Sequence, residues 1–244
     1  MKSAISILML VIAWGGMGAL RPQEENVDVL RTDEGELRIR PITHGSLMLE
    51  FRGKVIHVDP WSRGNYAGLP KADFILITDI HPDHMDRAMV DQLKKETTVI
   101  LAPAAVAETI REAQIIRNGE RKTVDGITIE AIPMYNLVRG PSPGQLYHTK
   151  GRGNGYVLTL GGKRIYISGD TECVPEIKAL RGIDVAFICM NLPFTMPPEE
   201  AAECVKAFRP KIVYPYHYRN SDVNVFANAL KGEAGIEVRL RKWY

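Results

Sequence analysis

The sequence FILITDIHPDHMD, residues 74–86, decides the fold and concentrates the chemistry of the chain. Its first four residues form a short, β-branched apolar run, which is typical of a strand buried on both faces. Positions 79–86 then hold five side chains able to bind a metal, and Asp86 is a suitable N-cap for the helical pattern that follows. Residues 79–84 are therefore predicted to form a strand-to-helix loop at the carboxyl edge of a sheet, where α/β proteins place their sites.

Length and composition place this stretch in one large soluble domain. The chain has 244 residues, of which 45% are hydrophobic and 25% charged, so it can bury a sizeable core. The formal net charge is only +2, and the basic residues 239–242 alternate with apolar ones, as on the exposed face of a strand. No nucleic-acid partner is expected.

The first 20 residues differ from the rest of the chain. One lysine precedes an unbroken apolar or small segment from Ala4 to Leu20, and the polar residues 21–25 follow. This pattern predicts an export signal or, because no Ala-x-Ala cleavage pattern is present, an uncleaved membrane anchor. The protein is accordingly expected to be exported, in the periplasm or secreted, or to associate with a membrane through residues 1–20.

The remainder is predicted to form a single α/β domain. Residues 21–36 are interpreted as a polar segment that leads into it, and residues 37–244 as two rounds of strands followed by strand-helix units, with no internal linker. Within the domain, residues 104–116 are predicted to form an amphipathic helix that is closed by Asn118-Gly119.

The three cysteines, Cys173, Cys189 and Cys204, are odd in number and show no CxxC spacing. Cys189 lies in an apolar run and Cys204 in a helical pattern, so both are interpreted as small core residues. Cys173 is interpreted as a bystander near a candidate ligand. We therefore expect no disulfide framework.

Other polar residues follow apolar strands in the same way as residues 79–84. Asp59 ends one hairpin, Asp170 follows another in a Gly-Asp-Thr segment, and His217 ends a late strand. His148 lies in a loop-like region, residues 133–154, that is rich in glycine. The ligands of one metal centre must converge from distant parts of the sequence, and one edge of a sandwich can collect all of these residues.

Together these motifs resemble the metallo-β-lactamase superfamily. Its signature is Thr-His-x-His-x-Asp-His, then a separate His, a Gly-Asp-Thr and a final His, and all elements occur here in order, with Asp79 in place of the first His. Residues 42–46, Asp59-Pro60-Trp61 and residues 214–218 look like the lactonase and phospholipase-D-like branch. The resemblance covers roughly residues 39–244 and implies an α/β fold, a four-layer αββα sandwich of two mixed β-sheets flanked by helices.

The resemblance also implies the metal ligands. They would be His81 and His148 with Asp79 for a first metal, Asp83, His84 and His217 for a second, and Asp170 as a bridge between the two.

Four residues receive further roles. Asp83 would orient the attacking group while it binds the metal. His44, near the metals in that branch, is a candidate for orienting substrate and equally a candidate for an ordinary turn residue. Asp59 is a candidate acceptor for a ligand imidazole N–H, and His57 is interpreted as structural.

The implied activity is metal-dependent hydrolysis. Two divalent cations, with zinc expected first and manganese or iron as alternatives because of Asp79, would supply a bound hydroxide that attacks a lactone, ester, amide or phosphodiester. The substrate would be a small or lipid-like molecule. Two other classes stay open, namely an iron-dependent redox or sulfur-chemistry enzyme and a metal-retaining binding protein. Asp79 would make the site less positive by one unit, which predicts activity shifted to alkaline pH.

Overall fold

The computed structural model describes residues 26–244, so the predicted signal or anchor over residues 1–20 lies outside the described part. Within residues 26–244 no helix combines the length and the apolar character needed to cross a bilayer. The strands are β1 Asp28–Thr32, β2 Gly35–Thr43, β3 Ser46–Phe51, β4 Lys54–Val58, β5 Ala72–Leu76, β6 Lys94–Ala102, β7 Gln114–Ile115, β8 Arg121–Val124, β9 Ile127–Met134, β10 Gly153–Leu160, β11 Lys163–Ile167, β12 Val185–Cys189, β13 Ile212–Tyr216 and β14 Glu237–Val238. The helices are α1 Arg87–Leu93, α2 Ala104–Ala107, α3 Pro175–Lys178, α4 Pro198–Phe208 and α5 Val223–Ala229.

The described strands form two sheets with the same internal plan. Their orders are β1-β2-β3-β4-β5-β6-β7 and β14-β13-β12-β11-β10-β9-β8. In each sheet the first four strands along the chain pair antiparallel, and the strands that follow pair parallel. Parallel strands are joined by crossover connections that begin at the carboxyl ends of the strands. The carboxyl ends of β5, β11, β12 and β13 can therefore carry functional loops.

Strand β5 is buried on both faces, as its continuous apolar sequence predicts. Phe74 and Leu76 belong to the core shared by the two sheets, whereas Ile75 on the opposite face packs in a second cluster with α1. On the other sheet, Phe208 of α4 meets Tyr166 edge to face, with ring centroids 5.9 Å apart. The molecule is thus an α/β sandwich of two mixed sheets with helices on its outer faces, which confirms the predicted fold class.

The helix predicted over residues 104–116 is wrong beyond its first turn. Only Ala104–Ala107 is α-helical, and Gln114–Ile115 forms β7, which pairs parallel with Leu101 and Ala102 of β6. Because the end of the segment adds a strand to the sheet edge, tertiary pairing overrides the local helical pattern.

Part of the segment interpreted as leading into the domain belongs to the sheet. Residues 28–32 form β1, a hairpin partner of β2 in which Thr32 pairs with Gly35. Asp28 of this strand makes a two-pronged ion pair with Arg241, at 2.9 and 2.8 Å. One side of an edge strand faces solvent, so the polar residues of β1 obscure the pattern by which a strand is recognised in sequence.

The expectation of no disulfide is also wrong. Cys173 and Cys204 are bonded across 31 positions, which ties the loop after β11 to α4, while Cys189 is a free, buried thiol as predicted. Sequence spacing could not show this pairing, because it depends on how α4 returns over the second sheet.

Candidate metal centre

The predicted ligands lie at one edge of the sandwich, in loops that follow buried strands. Residues 79–84 follow β5, Asp170 follows β11, His217 follows β13, and His148 lies between β9 and β10. With His44 they form three groups in which one ligand atom per residue lies within 4.8 Å of the others. The groups are His44, Asp83 and His217, then Asp79, His81 and His148, and finally His84, Asp170 and His217.

Asp170 lies between the groups. Its Oδ2 is 3.4 Å from His84 Nε2 and 3.5 Å from His148 Nε2, and its Oδ1 is 3.4 Å from His217 Nε2. Burial would raise the pKa of this carboxyl, but the three histidines outweigh burial and hold it well below its ordinary value. An ionised carboxylate in contact with both sides has the position that a bridging ligand needs.

Asp59 contacts Nδ1 of His84 and orients its ring. Its Nδ1 lies 2.8 Å from Asp59 Oδ2 and 3.0 Å from the hydroxyl of Thr78, which itself donates to Asp59. Burial lowers the pKa of His84, but the carboxylates of Asp170 and Asp59 raise it well above its ordinary value. Nδ1 therefore carries a proton toward Asp59, and a metal ion would replace the second proton at Nε2.

His148 is held from behind by an amide. Its main-chain N–H and its Nδ1–H both donate to Asn136 Oδ1, at 2.8 and 2.7 Å. The Asn136 amide is itself oriented, because its Nδ2 donates to Glu172 Oε1 at 3.1 Å and to the carbonyl of Phe194 at 2.8 Å. The proton of His148 is thus fixed on Nδ1.

The second ring nitrogen of His148, Nε2, is an acceptor, and the groups that face it are carboxylate oxygens, which are acceptors as well. Burial lowers the pKa of His148 to about 4, so the ring is neutral at pH 7. Nε2 lies 3.5 Å from Asp170 Oδ2 and 3.8 Å from Asp79 Oδ2, and it has no hydrogen-bond partner among the described residues. A lone pair that faces two carboxylates is the arrangement of a cation site.

Asp79 has a partner that sequence reasoning missed. Arg152 donates from Nε to Asp79 Oδ1 at 3.1 Å and from Nη2 to Oδ2 at 2.9 Å, and His81 Nδ1 lies 2.8 Å from Oδ2. Burial would raise the pKa of Asp79, but His81, the charge of His84 and that of Arg152 lower it to about 2. Arg152 therefore returns the positive charge that the carboxylate removes, so the inference of a site less positive by one unit is wrong.

His44 reaches the site through Asp83. Its Nε2 lies 3.0 Å from Asp83 Oδ2, and its Nδ1 lies 2.5 Å from the hydroxyl of Tyr244, which accepts the Arg219 main-chain N–H at 2.8 Å. Burial lowers the pKa of His44, so the ring is neutral, donates from Nε2 to Asp83 and accepts at Nδ1 from Tyr244. His44 thus holds Asp83 in place.

Backbone constraints pack these rings closely. A Cβ on Gly45 would lie 2.9 Å from His217 Cδ2, so any larger residue would displace that imidazole, and it would also contact His84 Cε1 at 3.5 Å. Four non-glycine residues around the site adopt the left-handed region, with φ of 50° at His44, 44° at Asp59, 48° at His217 and 44° at Arg219.

The charges of the cluster fit bound cations. Four carboxylates, those of Asp59, Asp79, Asp83 and Asp170, face the histidines or Arg152. When the histidines are counted as neutral, the state that metal ligands require, and one guanidinium is included, the cluster has an excess of three negative charges, which buried groups retain only when they are paired or bind metal. Imidazole nitrogens and carboxylate oxygens are donors that zinc, manganese and iron accept.

The remaining points concern His57, which the sequence placed outside the site, and three residues that the sequence did not identify. His57 is buried away from the cluster, with its Nε2 3.1 Å from the carbonyl of Pro70, as expected of a structural residue. The sequence did not identify Arg152, Asn136 or Glu172. Arg152 lies in a glycine-rich segment without a motif of its own, so no local signal marks it.

Comparison with known proteins places this arrangement in a family. The family described as "Beta-lactamase superfamily domain" matches residues 38–217. A UPF0173 metal-dependent hydrolase from Thermococcus onnurineus is 32% identical over 196 residues, 75% of this chain and 84% of the relative. One from Symbiobacterium thermophilum is 29% identical over 221 residues, 84% of this chain and 92% of the relative.

A solved structure is similar over most of this chain. A protein from Parabacteroides distasonis, proposed to be a metal-dependent hydrolase, superposes with a TM-score of 0.84 and 42% identity, over 89% of this chain and 99% of that protein. These relatives are named only as metal-dependent hydrolases, so the lactonase and phospholipase-D-like branch stays a prediction. The chain belongs to the metallo-β-lactamase superfamily, an assignment that the matched residues 38–217 carry together with its hydrolase relatives.

Proposed function

We propose that this protein is a hydrolase that uses two divalent cations, with zinc as the expected metal, to cleave a lactone, ester, amide or phosphodiester. The observation that carries the proposal is the neutral His148, whose Nε2 lone pair faces the carboxylates of Asp79 and Asp170 without a donor between them. A lone pair and two carboxylates that face one another without a donor favour a bound cation.

The described geometry supports ligands for two cations. Asp79, His81 and His148 would hold one cation. Asp83, His84 and His217, whose facing atoms lie 3.2 to 3.9 Å apart, would hold the other, and Asp170 contacts histidines of both sets. When bound, such cations lower the pKa of water and polarise the oxygen of the scissile group.

The protein's own residues do the positioning. Asp59 and Asn136 fix the tautomers of His84 and His148, so each ring is oriented before a cation arrives. His44 holds Asp83 through its Nε2–H, which keeps one carboxylate oxygen of Asp83 in place beside the cleft. The proposed hydrolysis requires no serine or cysteine nucleophile.

Metal analysis and a substrate panel test the proposal together. We expect about two metals per chain after reconstitution at neutral pH, together with steady-state hydrolysis of at least one ester, lactone or phosphodiester. A ratio of one or less would contradict the two-cation assignment. Metal uptake without any turnover would favour the binding-protein alternative, and iron with visible absorption would favour the redox alternative.

We also propose that the protein works outside the cytoplasm, exported or anchored through residues 1–20. The Cys173–Cys204 disulfide supports this location, because such bonds persist mainly in oxidising compartments. Cell fractionation with an antibody to the folded domain is the direct test, and a purely cytoplasmic signal would contradict it.

A further inference from the structure

A cleft of about 210 Å³ opens beside the candidate metal centre. One wall is made by proposed ligands, among them His81, Asp83 and Asp170. The lining also contains four residues that the proposed chemistry does not use. These four are Tyr147, Asn191, Phe194 and Arg219.

Arg219 brings an uncompensated positive charge to this wall. Its guanidinium has no carboxylate partner among residues 26–244, and its carbon Cζ lies 5.7 Å from the ring centroid of Phe194. The backbone is held by Tyr244, whose hydroxyl accepts the Arg219 N–H at 2.8 Å. Arg219 is exposed and lines the cleft, so the hydrogen-bond donors of its guanidinium are free for an anion.

Asn191 brings a buried amide. The residue is 2% exposed, and its Oδ1 has no hydrogen-bond partner in the described part of the chain. Its main chain is satisfied, because its N–H donates to Thr195 Oγ1 at 2.7 Å and its carbonyl accepts from Phe194 N at 2.9 Å. Asn191 lines the cleft, so its unpaired side-chain oxygen, which is an acceptor, is available to a hydrogen-bond donor of a ligand.

Asn191 and Arg219 are brought together by the neighbouring loop. Ser221 Oγ donates to the carbonyl of Met190 at 2.5 Å, which joins the segment that contains Arg219 to the segment that contains Asn191. Both side chains can therefore contact one ligand within the same small cleft.

The surroundings of these two residues are apolar. The rings of Tyr147 and Phe194 meet edge to face, with centroids 5.0 Å apart. Near them along the chain, Leu137, Val138 and Leu192 are exposed by 47%, 76% and 47%. The two aromatic rings give the cleft an apolar part, and exposed large apolar side chains are typical of a binding surface.

We propose that the cleft selects substrates that carry a carboxylate or phosphate oxyanion next to an apolar group, with Arg219 binding the oxyanion and Asn191 Oδ1 accepting a hydrogen bond from a neighbouring N–H or O–H of the substrate. Phe194 and Tyr147 contact the apolar group, and the bond to be cleaved faces His81 and Asp170. This proposal rests on the proposed hydrolase function and adds the chemical class of its substrate.

The test uses binding, so it does not depend on a known substrate. Isothermal titration on zinc-reconstituted and on chelator-treated protein compares 4-phenylbutyrate and 3-phenylpropyl phosphate with the neutral 4-phenylbutanamide. The variants are Arg219→Gln, Asn191→Asp and the matched control Arg63→Gln. Arg63 also lies over an aromatic ring, with its Cζ 5.1 Å from the Trp61 centroid, but it does not line the cleft.

We expect the native protein to prefer the anionic probes to the amide. Arg219→Gln should weaken the anionic probes by about five- to tenfold and the amide by less than about twofold, because only the anions lose a charged hydrogen-bond partner. Asn191→Asp should also weaken the anionic probes more than the amide, because the new carboxylate repels an anion in the same cleft. Arg63→Gln should leave the affinities of all probes unchanged. The stronger of the two anions identifies carboxylate or phosphate as the natural group.

Two results would overturn the proposal. One is an equal loss for anionic and neutral probes, or an effect of Arg63→Gln as large as that of Arg219→Gln, at equal metal content and unchanged circular dichroism. The other is no measurable binding of either anion to the native protein. Failure to take up metal would instead contradict the proposed function, while the chelator-treated titrations would still report on Arg219.

Discussion

The two halves of the candidate metal centre are built differently. The His84 half comprises Asp83, His84 and His217, and its histidines are fully buried. The His81 half comprises Asp79, His81 and His148, and its His81 side chain is 40% exposed. Moreover, Arg152 binds both oxygens of Asp79, so the His81 half contains a fixed cation that competes with a metal.

This difference shows how one fold can give two neighbouring positions unequal affinities. A carboxylate behind an imidazole, such as Asp59 behind His84, strengthens it as a ligand. A guanidinium beside a ligand carboxylate repels the ion that the carboxylate attracts. We therefore expect the first equivalent of metal to occupy the His84 half.

The largest effect should come from Asp170→Asn, which affects both halves. Asp170 contacts histidines of each half, so the loss of its charge should lower activity by more than ~100-fold and reduce the metal content of both positions. Elemental analysis and turnover are measured on the same preparation. Retention of two metals with near-native turnover would show that Asp170 is not a bridge.

Asp59→Asn should weaken the His84 half by about 10- to 100-fold in metal affinity, the range typical of groups that support ligands. The matched change in the other half is Asn136→Leu, which removes the acceptor behind His148. Competition with a chelator measures both affinities. If the two variants affect the same binding step, the division into halves is wrong.

Arg152→Gln should act in the opposite direction. Removing the guanidinium beside Asp79 should tighten metal binding in the His81 half by roughly tenfold, because the local repulsion of a cation disappears. Asp79→His alone should weaken that half, since it leaves Arg152 unpaired, and the double variant should recover it. A weaker second equivalent in Arg152→Gln would show that Arg152 supports the site.

The smallest effect should come from His57→Ala, which serves as the reference for buried histidines. His57 contacts the Pro70 carbonyl and not the cluster, so activity should stay within about tenfold of native and both metal affinities should be unchanged. Thermal unfolding is recorded alongside, because removal of a buried ring also lowers stability. A change in the affinity of either half would assign His57 to the site.

Sequence reasoning found what depends on local order and missed what depends on distant contacts. Residues 79–84 were recognisable because an apolar strand and a helix cap bracket them, and Asp59 because it ends a strand. The Asp79–Arg152 pair joins residues 73 positions apart, and the Cys173–Cys204 bond joins two elements that only the tertiary fold brings together. Strand β7 was not predicted for the same reason, since its conformation depends on its pairing with β6.

The left-handed backbone at His44, Asp59, His217 and Arg219 also sets a limit on how this protein can evolve. Each such conformation costs about 1 to 2 kcal/mol in a residue with a Cβ, and glycine would remove most of that strain. A glycine at Arg219 should therefore raise the thermal midpoint while the anion-binding group is lost. Selection for heat resistance alone would erode the residues around this centre, and only selection for activity keeps them.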